Sequence, residues 1–247
     1  MSGHSKWSTI KRKKGANDAK RGAIFTRLSK DIALAAREGG DDPDMNSALR
    51  LAIKKAKVSN MPASNIERAI KKGTGQLEGV NYENYLYEGY GPHGVAIMME
   101  VMTDNKNRTI PDIRHIMSKN GGNLGESGCV NWIFEKKGVI TIKKSLVSED
   151  DLLNDCLEFD IEDINTEDDN VYEIIINPEK FNDICSHFES KEYAIEAELN
   201  LNPQNTVKVE ESESSEDISL LSILEDHEDI QKVYSNFELD ESDMDLL

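Results

Sequence analysis

Long apolar runs, paired cysteines and aromatic side chains are all scarce in this chain of 247 residues. No stretch approaches the 18 or more apolar residues of a membrane-spanning helix, so we expect no membrane contact. The three cysteines, Cys129, Cys156 and Cys185, lie far apart without a CxxC pair, which argues against a disulfide framework and a zinc site. We therefore predict a cytoplasmic protein that uses no metal or other cofactor.

The beginning of the chain also lacks the apolar segment that follows the charges of a secretory signal. A transit peptide would share its Lys and Arg residues and its lack of acidic ones. We interpret residues 7–15 instead as part of the folded protein.

Positive charge is unevenly distributed, although the net charge of the whole chain is −18. Residues 1–75 hold seventeen Lys and Arg against seven Asp and Glu, a net charge of +10. Residues 76–140 have a net charge of −2, and residues 141–247 have a net charge of −26. Such asymmetry indicates a nucleic-acid partner. The alternative is a helical domain with a solvated, Lys-rich face.

The spacing of apolar residues predicts three helices in the first 78 residues. Residues 19–36 carry a helical stripe that includes Phe25, Leu28 and Ile32. A second helix is predicted over 45–58, with Met45 on its inner side. Ser64 and Glu67 form a capping-box pattern that predicts the start of a third helix. We expect a basic three-helix domain over residues 1–78.

After residue 78 the pattern changes to a mixture of strands and helices. Strands are predicted over 85–90 and 95–102, then a helix over 107–119. Residues 132–203 follow the βαββαβ order of a ferredoxin-like domain, with Trp132 beginning its first strand. The remaining elements are predicted as a strand over 206–209, a helix over 216–224 and a strand over 230–237.

These elements predict a multidomain α and α+β fold with three domains. The N-terminal three-helix domain is followed by two α+β (ferredoxin-like) domains, the third inserted in the second. The middle domain comprises 79–131 plus 204–238, and the inserted domain comprises 132–203. Residues 239–247 are predicted to be a disordered acidic tail.

The N-terminal segment is the first candidate site for nucleic acid. Its cations would neutralise phosphates and release counterions, giving salt-sensitive binding with little sequence preference. They are Lys6, Lys11, Arg12, Lys13, Lys14, Lys20, Arg21, Arg27 and Lys30. Trp7 could stack on an unpaired base, or alternatively pack into the helical domain with Ile10.

A second candidate cluster lies on the helix predicted over 107–119. Arg108, Arg114 and Lys119 would extend the basic surface. In the alternative interpretation, Asp104 and Asn105 simply cap this helix.

Three other patterns were considered as sites of catalysis or metal binding. The glycine-rich loop at 121–128 lacks a P-loop lysine and follows a helix, so we interpret it as a turn with unusual backbone angles. Cys129 has only His115 as a basic neighbour in sequence, which favours a buried structural thiol. The acidic blocks at 149–169 and 210–229 lack EF-hand spacing and are interpreted as solvated helix faces. We predict no enzymatic activity and no small-molecule substrate.

Several motifs in the chain resemble the YebC family, bacterial relatives of the mitochondrial translational activator of cytochrome oxidase subunit one. The resemblance extends over nearly the full length. The motifs are GHSKW (3–7), DAKRG (18–22), NMP (60–62), NIERAIKKG (65–73), YEGYGP (87–92), TDNKNRT (103–109), GGNLG (121–125), FEKKG (134–138) and DIQKVYSNFE (229–238).

The resemblance implies three domains in the same order and a cytoplasmic regulator of transcription that binds DNA. It also implies a role in translation, at ribosomes stalled on difficult peptide sequences. No catalytic residues are attributed to the family, so none is carried over. The third domain and the C-terminal region are more acidic than the resemblance leads us to expect.

The leading hypothesis is a transcriptional regulatory protein that binds DNA through its basic N-terminal segment. The alternative is a ribosome-associated translation factor that binds ribosomal RNA and relieves stalling. The sequence shows no helix-turn-helix with base-reading side chains, and binding to the phosphate backbone suits RNA at least as well as DNA. A protein-binding adaptor and an enzyme with an unrecognised site are the other hypotheses.

Overall fold

Helices come first along the chain, and two four-stranded sheets follow. The computed structural model describes residues 18–77, 82–191 and 193–238. The predicted acidic tail at 239–247 lies outside these residues. The first helices are α1 (Asp18–Gly39), α2 (Ser47–Val58) and α3 (Ala63–Gly73). The predicted multidomain α and α+β fold class is confirmed.

Small side chains let the three helices pack closely together. The core between them contains Ile32, Leu49, Ala52, Ala56, Ile66 and Ala69. Gly73 lies directly against α1, because any Cβ at this position would be 2.2 Å from the carbonyl oxygen of Ala33. Alanine and glycine at these contacts therefore let the helix backbones approach each other closely.

Helix α2 begins later than the sequence predicts. Asn46 is its N-cap, with a side-chain oxygen that accepts a hydrogen bond from the backbone N–H of Leu49 at 3.0 Å. The same side chain donates to the carbonyls of Ala35 (2.8 Å) and Gly40 (2.9 Å). Met45 therefore precedes the helix and is 85% exposed, so its predicted inward position is wrong.

The predicted capping box of α3 is also wrong. The helix begins at Ala63 with Pro62 as its N-cap, and no side chain caps it. Because Pro62 has the fixed φ that suits a helix start, the helix begins one residue before Ser64. The hydroxyl of Ser64 is then inside the first turn, where it cannot act as the cap.

The first sheet is built from two separate stretches of chain. Its strand order is β3-β1-β2-β9, and all of its neighbouring strands are antiparallel. The first stretch supplies β1 (Glu83–Tyr90), β2 (Ala96–Thr103), α4 (Lys106–Lys119) and β3 (Asn123–Leu124).

The second stretch differs in detail from the prediction. It supplies β8 (Val207–Lys208), α7 (Glu211–Asp226), β9 (Ile230–Ser235) and β10 (Phe237–Glu238). Among the described strands, β8 pairs only with β10, in parallel. The predicted single strand over 230–237 is interrupted at Asn236, whose side-chain oxygen accepts from the N–H of Ala96 at 2.7 Å.

Between these two stretches lies the ferredoxin-like unit. It comprises β4 (Phe134–Lys143), α5 (Glu149–Cys156), β5 (Ile161–Asn165), β6 (Val171–Ile176), α6 (Phe181–Ser190) and β7 (Ile195–Pro203). The strand order β5-β6-β4-β7, antiparallel throughout, is that of the predicted βαββαβ unit. Trp132 does not begin the first strand, however. It lies in a 3₁₀ turn (Asn131–Ile133) and is 67% exposed.

The order of the strands shows how the second α+β unit interrupts the first. Strand β2 pairs with β9, and the whole of β4 to β7 lies between them in sequence. A small apolar cluster joins the two sheets and contains Ala96, Met98, Val130, Ile133, Phe134 and Tyr234. The precise domain limits, 79–131 plus 204–238 around 132–203, stay a prediction.

Asn46→Ala should destabilise the protein, whereas Ser64→Ala should have little effect. Asn46→Ala removes one cap and two further hydrogen bonds to backbone carbonyls, so we expect it to lower the free energy of unfolding by roughly 2 kcal/mol. Ser64→Ala removes no cap and should change it by less than about 0.5 kcal/mol. Urea denaturation measures both. A loss of about 1 kcal/mol for Ser64→Ala would mean that the capping box forms after all.

Candidate nucleic-acid interface

The structure places five of the thirteen side chains that the sequence assigns to nucleic-acid binding. Lys6, Trp7, Lys11, Arg12, Lys13 and Lys14 lie outside the described residues. Lys20 and Arg21 belong to the first turn of α1, but their side chains lie outside the description. The remaining five are Arg27, Lys30, Arg108, Arg114 and Lys119.

Lys30 is buried inside the protein and cannot bind a phosphate. Its side chain projects from the middle of α1 and the residue is only 4% exposed. The ammonium nitrogen lies 2.5 Å from Oδ1 of Asp229, 2.9 Å from the carbonyl oxygen of Glu228 and 3.0 Å from that of Met102. All three N–H donors of an ammonium group are thus used. Lys30 is therefore removed from the predicted interface.

Arg27 lies one turn earlier on α1 and is also held by the protein itself. Its Nη1 donates to the carbonyl oxygen of Glu225 at 2.7 Å, with a longer contact of 3.4 Å to that of Ile230. Both carbonyls belong to the region where α7 ends and β9 begins. Arg27 and Lys30 together dock α1 onto the first sheet, so Arg27 too is removed from the predicted interface.

Asp229 is the acceptor around which this contact is organised. Besides Lys30, it accepts hydrogen bonds from Thr109 at 2.7 Å and from Arg108 at 2.9 Å. Burial by itself would raise the pKa of Asp229, but the hydrogen bonds from Lys30, Thr109 and Arg108 outweigh it and lower the pKa to about 2. The carboxylate therefore stays ionised although the residue is only 2% exposed.

The TDNKNRT motif at 103–109 supplies most of the other partners of Asp229. Thr103 and Thr109 share a hydrogen bond of 2.8 Å between their hydroxyls, and both reach Asp229. Asn105 is the N-cap of α4 and accepts from the N–H of Arg108. The capping interpretation is confirmed for Asn105 but not for Asp104, which pairs with the side chain of Arg108 instead. The main role of the motif in the structure is to surround Asp229.

Arg108 takes part in the same network, whereas Arg114 and Lys119 do not. Arg108 pairs with Asp104 at 3.2 Å and with Asp229 at 2.9 Å, so its charge is already balanced within the protein. Arg114 and Lys119 are exposed on α4, and neither forms an ion pair with a carboxylate in the part of the chain that the structure describes. Only these two of the second cluster stay available to a partner.

The glycine-rich loop at 121–128 is organised by a buried carboxylate. Gly121 and Gly128 have positive φ, which confirms the predicted unusual backbone angles. Glu88 accepts from the backbone N–H groups of Gly128 at 2.7 Å and of Val130 and Asn131 at 2.8 Å. Burial alone would raise the pKa of Glu88, but these three donors lower it. Glu88 thus holds the N–H of the last loop residue, Gly128, and two N–H groups that follow the loop.

Cys129 has the properties of a structural thiol. Burial, and then the nearby charge of Glu88, raises the pKa of Cys129, which disfavours the reactive thiolate. Within residues 18–77, 82–191 and 193–238, no group of three or more His, Cys, Asp and Glu side chains is arranged to hold a metal. In the same ranges no helix is long and apolar enough to cross a membrane.

The described cations of α2 were not singled out from the sequence. Arg50, Lys54 and Lys57 are exposed on this helix, and the apolar side of the helix faces α1. The signal was present, because positions i, i+4 and i+7 lie on one side of a helix. The first thirty residues hold more Lys and Arg than α2 does, so the pattern on α2 is the weaker of the two in the sequence.

The family of the chain follows from models of two regions that together cover nearly all of it. The model described as "TACO1/YebC protein N-terminal domain" matches residues 5–76, and that described as "TACO1/YebC second and third domain" matches residues 82–237. The chain belongs to the YebC family.

Individual YebC relatives agree with this assignment over their full length. A "probable transcriptional regulatory protein" of Desulfotalea psychrophila is 53% identical over 249 residues, which cover 100% of this chain and 99% of the relative. A protein of the same name from Syntrophobacter fumaroxidans is also 53% identical, with 100% of both chains covered. The crystal structure of a conserved hypothetical protein from Aquifex aeolicus is 44% identical with a TM-score of 0.81, and covers 91% of this chain and 93% of that one.

Asp229→Asn should strongly destabilise this YebC protein. The substitution keeps the shape of the side chain but leaves the buried ammonium of Lys30 without its counter-charge. We expect a loss of about 3–5 kcal/mol in the free energy of unfolding, measured by urea denaturation. Asp160→Asn is the control, because Asp160 is exposed in its ion pair with Lys180 and should contribute less than about 1 kcal/mol. Equal effects of the two substitutions would contradict the central role of Asp229.

The same carboxylate should contribute to acid unfolding. Because the pKa of Asp229 is lowered from 3.8 to about 2, its ionised form stabilises the folded state above about pH 4, and this stabilisation is lost as the pH falls toward 2. The loss should be about 2 kcal/mol. The difference in unfolding free energy between wild type and Asp229→Asn, measured from pH 6 down to 2, should narrow over this range. A constant difference would show that the pKa of Asp229 is not lowered.

Proposed function

We propose that this protein is a nucleic-acid-binding regulator of gene expression. In the leading form of the proposal it is a transcriptional regulatory protein that binds DNA through its basic N-terminal segment. It acts in the cytoplasm, requires no cofactor, catalyses no reaction and has no small-molecule substrate. The names of its YebC relatives, which are those of regulators and not of enzymes, support the regulatory part of this proposal.

The observation that carries the proposal is the charge of the N-terminal segment. Residues 6–14 contain five Lys and Arg and no acidic residue, while residues 141–247 have a net charge of −26. Cations that neutralise phosphates release the counterions condensed on nucleic acid, which gives strong binding at low salt. The acidic remainder repels the same polyanion, so binding is directed to one end of the molecule.

The structure narrows the set of residues on which this proposal depends. Lys30 is buried in an ion pair, and Arg27 and Arg108 donate to carbonyl or carboxylate oxygens of the chain itself. The proposed contacts are therefore Lys6, Trp7, Lys11, Arg12, Lys13, Lys14, Lys20, Arg21, Arg114 and Lys119. Because the sequence shows no helix-turn-helix with base-reading side chains, backbone phosphates are the expected target and sequence preference is expected to be weak.

The alternative is a ribosome-associated translation factor that binds ribosomal RNA. The lack of a helix-turn-helix pattern in the sequence favours it, since binding to backbone phosphates suits structured RNA as well as duplex DNA. Crosslinking in growing cells, with sequencing of both attached DNA and attached RNA, separates the two. Enrichment of promoter DNA supports transcription, and enrichment of ribosomal RNA supports translation.

Replacing Lys11, Arg12, Lys13 and Lys14 together by Ala should weaken the salt dependence of binding. If five phosphates are contacted, log affinity for duplex DNA should fall against log salt with a slope near −4.5, and near −3.5 for single strands. Loss of four contacts should reduce the duplex slope to roughly −1. Fluorescence anisotropy with labelled duplex DNA and ribosomal RNA measures the slope, and circular dichroism checks that the helices are intact. An unchanged slope in a folded variant would refute the proposed role of this segment.

A further inference from the structure

The exposed cations of the N-terminal domain fall into two groups once the contacts of α1 are known. Lys30 is buried, and Arg27 is half-buried with its Nη1 held by carbonyl oxygens next to the first sheet, whereas Arg50 of α2 is exposed. On α2, by contrast, Lys54 and Lys57 are exposed and form no ion pair with a carboxylate of the described residues. These are cations that the fold itself does not use.

Helix geometry places the cations of α2 on one side. Leu49, Ala52 and Ala56 are buried against α1, which fixes the inner face of the helix. Arg50, Lys54 and Lys57 follow at i, i+4 and i+7, so they lie within about 60° of each other around the axis and extend over roughly 10 Å along it. We call these three residues the α2 cationic stripe.

Arg50 belongs to this stripe although it is partly engaged. Its Nη1 donates to the carbonyl oxygens of Pro43 at 3.1 Å and Asp44 at 3.3 Å. Carbonyl oxygens carry no net charge, and a guanidinium group has five N–H donors in all. Arg50 therefore keeps its positive charge and has further donors for a phosphate.

Lys55 shows that not every cation of α2 serves the same purpose. Burial raises the pKa of Asp31 to about 6 and opposes the lowering of the pKa of Glu198, and the charge of Lys55 acts against burial at both carboxyls. Lys55 therefore lies near acidic groups of α1 and β7. The cations of α2 fall into two groups: Lys55 has acidic groups of the protein near it, and the stripe forms no ion pair with a carboxylate of the described residues.

The apolar residues next to the stripe are also exposed. Leu51 and Val58 are large aliphatic side chains on the outer side of α2, seven positions apart. Aliphatic groups beside cations suit the sugars and base edges of a nucleic acid, where phosphates alternate with less polar surface. The stripe is also long enough for about three phosphates. Phosphates of one DNA strand follow each other every 3.4 Å along the duplex axis, so a stripe of roughly 10 Å aligned with that axis spans about three of them.

We propose that the α2 cationic stripe is a second nucleic-acid contact, which binds the phosphodiester backbone independently of the N-terminal segment. This inference rests on the proposed function and extends it to a part of the chain to which neither the sequence analysis nor the resemblance assigned binding. The stripe binds up to three phosphates, through Arg50, Lys54 and Lys57. DNA and RNA share this backbone, so the proposal concerns the chemistry common to both.

A purely structural role makes a different prediction. Lys57 lies in the last turn of α2, where a cation stabilises the helix dipole. Lys54 lies before the last turn and gains little from this effect. If the dipole were the whole explanation, replacing these lysines would lower the unfolding midpoint and leave nucleic-acid affinity unchanged.

The test compares two doubly substituted full-length proteins. Lys54→Ala/Lys57→Ala removes two charges from the stripe and leaves Arg50, with its loop contacts, in place. Lys136→Ala/Lys143→Ala is the matched control, because both lysines are exposed on β4, form no ion pair in the described residues and change the net charge equally. The probes are a labelled 20-base-pair DNA duplex and a labelled unstructured 20-nucleotide RNA, titrated between 50 and 200 mM salt.

Loss of two phosphate contacts should reduce the slope of log affinity against log salt by about 1.8 on the duplex, or by about 1.4 on the single strand. Affinity at 0.1 M salt should fall roughly tenfold or more. The control should leave both quantities unchanged. A larger effect on one probe than on the other would show which nucleic acid the stripe prefers, and would support the proposal in either case.

Two results would overturn the inference. An unchanged slope for Lys54→Ala/Lys57→Ala, with or without a lower unfolding midpoint, shows that these lysines do not contact nucleic acid. An equal effect of the control shows that only net charge matters.

The variant with Ala at positions 11–14, measured in parallel, separates this inference from the proposed function. If that variant loses salt dependence and the α2 variant does not, the proposed function stands and the α2 inference fails. If the α2 variant alone loses it, the inference stands and the assignment to the N-terminal segment fails. If the wild type binds neither probe, both fail.

Discussion

The buried pair of Lys30 and Asp229 joins parts of the chain that are almost two hundred residues apart. Lys30 comes from the middle of α1, and Asp229 directly precedes β9. An ammonium and a carboxylate are stable together away from water only when their other hydrogen bonds are satisfied. Here two backbone carbonyls accept the other hydrogen bonds of Lys30, and Thr109 and Arg108 donate the other hydrogen bonds of Asp229. The position of the helical domain on the first sheet depends on this arrangement.

This arrangement divides the positive charges of the protein into two classes. Some, such as Lys30, Arg27 and Arg108, balance charges or carbonyl groups of the chain itself. Others, such as Lys54 and Lys57, remain exposed and without carboxylate partners in the described structure. The net charge of +10 in residues 1–75 does not distinguish between them. Only cations of the second class can contribute to the proposed nucleic-acid surface. The positive charge available to a partner is therefore smaller than the net charge of residues 1–75 implies.

Buried carboxylates hold several turns and helices of the middle domain in place through hydrogen bonds. Glu88 holds three backbone N–H groups of the loop that leads to β4. Asp217 of α7 lies 2.5 Å from His93 and so connects that helix to the turn between β1 and β2. Asp229 does the same for α1 and α4. In each case a hydrogen-bonded carboxylate fixes the position of a turn or a helix, because hydrogen bonds to a carboxylate are directional and the hydrophobic contacts of the core are not.

The sequence by itself determined the order of helices and strands, the fold class and the family. These depend on local periodicity, on glycine positions and on motifs, which can be read from neighbouring residues. It could not determine where single elements begin, as Met45, Ser64 and Trp132 show. Caps and 3₁₀ turns are fixed by individual contacts, each of which contributes only a small part of the free energy of folding.

Only the tertiary structure decided which cations are free. Lys30 and Lys54 have the same side chain, and both lie in basic helices. One meets Asp229 because a strand far away in sequence packs against α1, and the other meets no carboxylate of the described chain. Pairing over such distances leaves no local pattern, since it arises from the packing of whole elements.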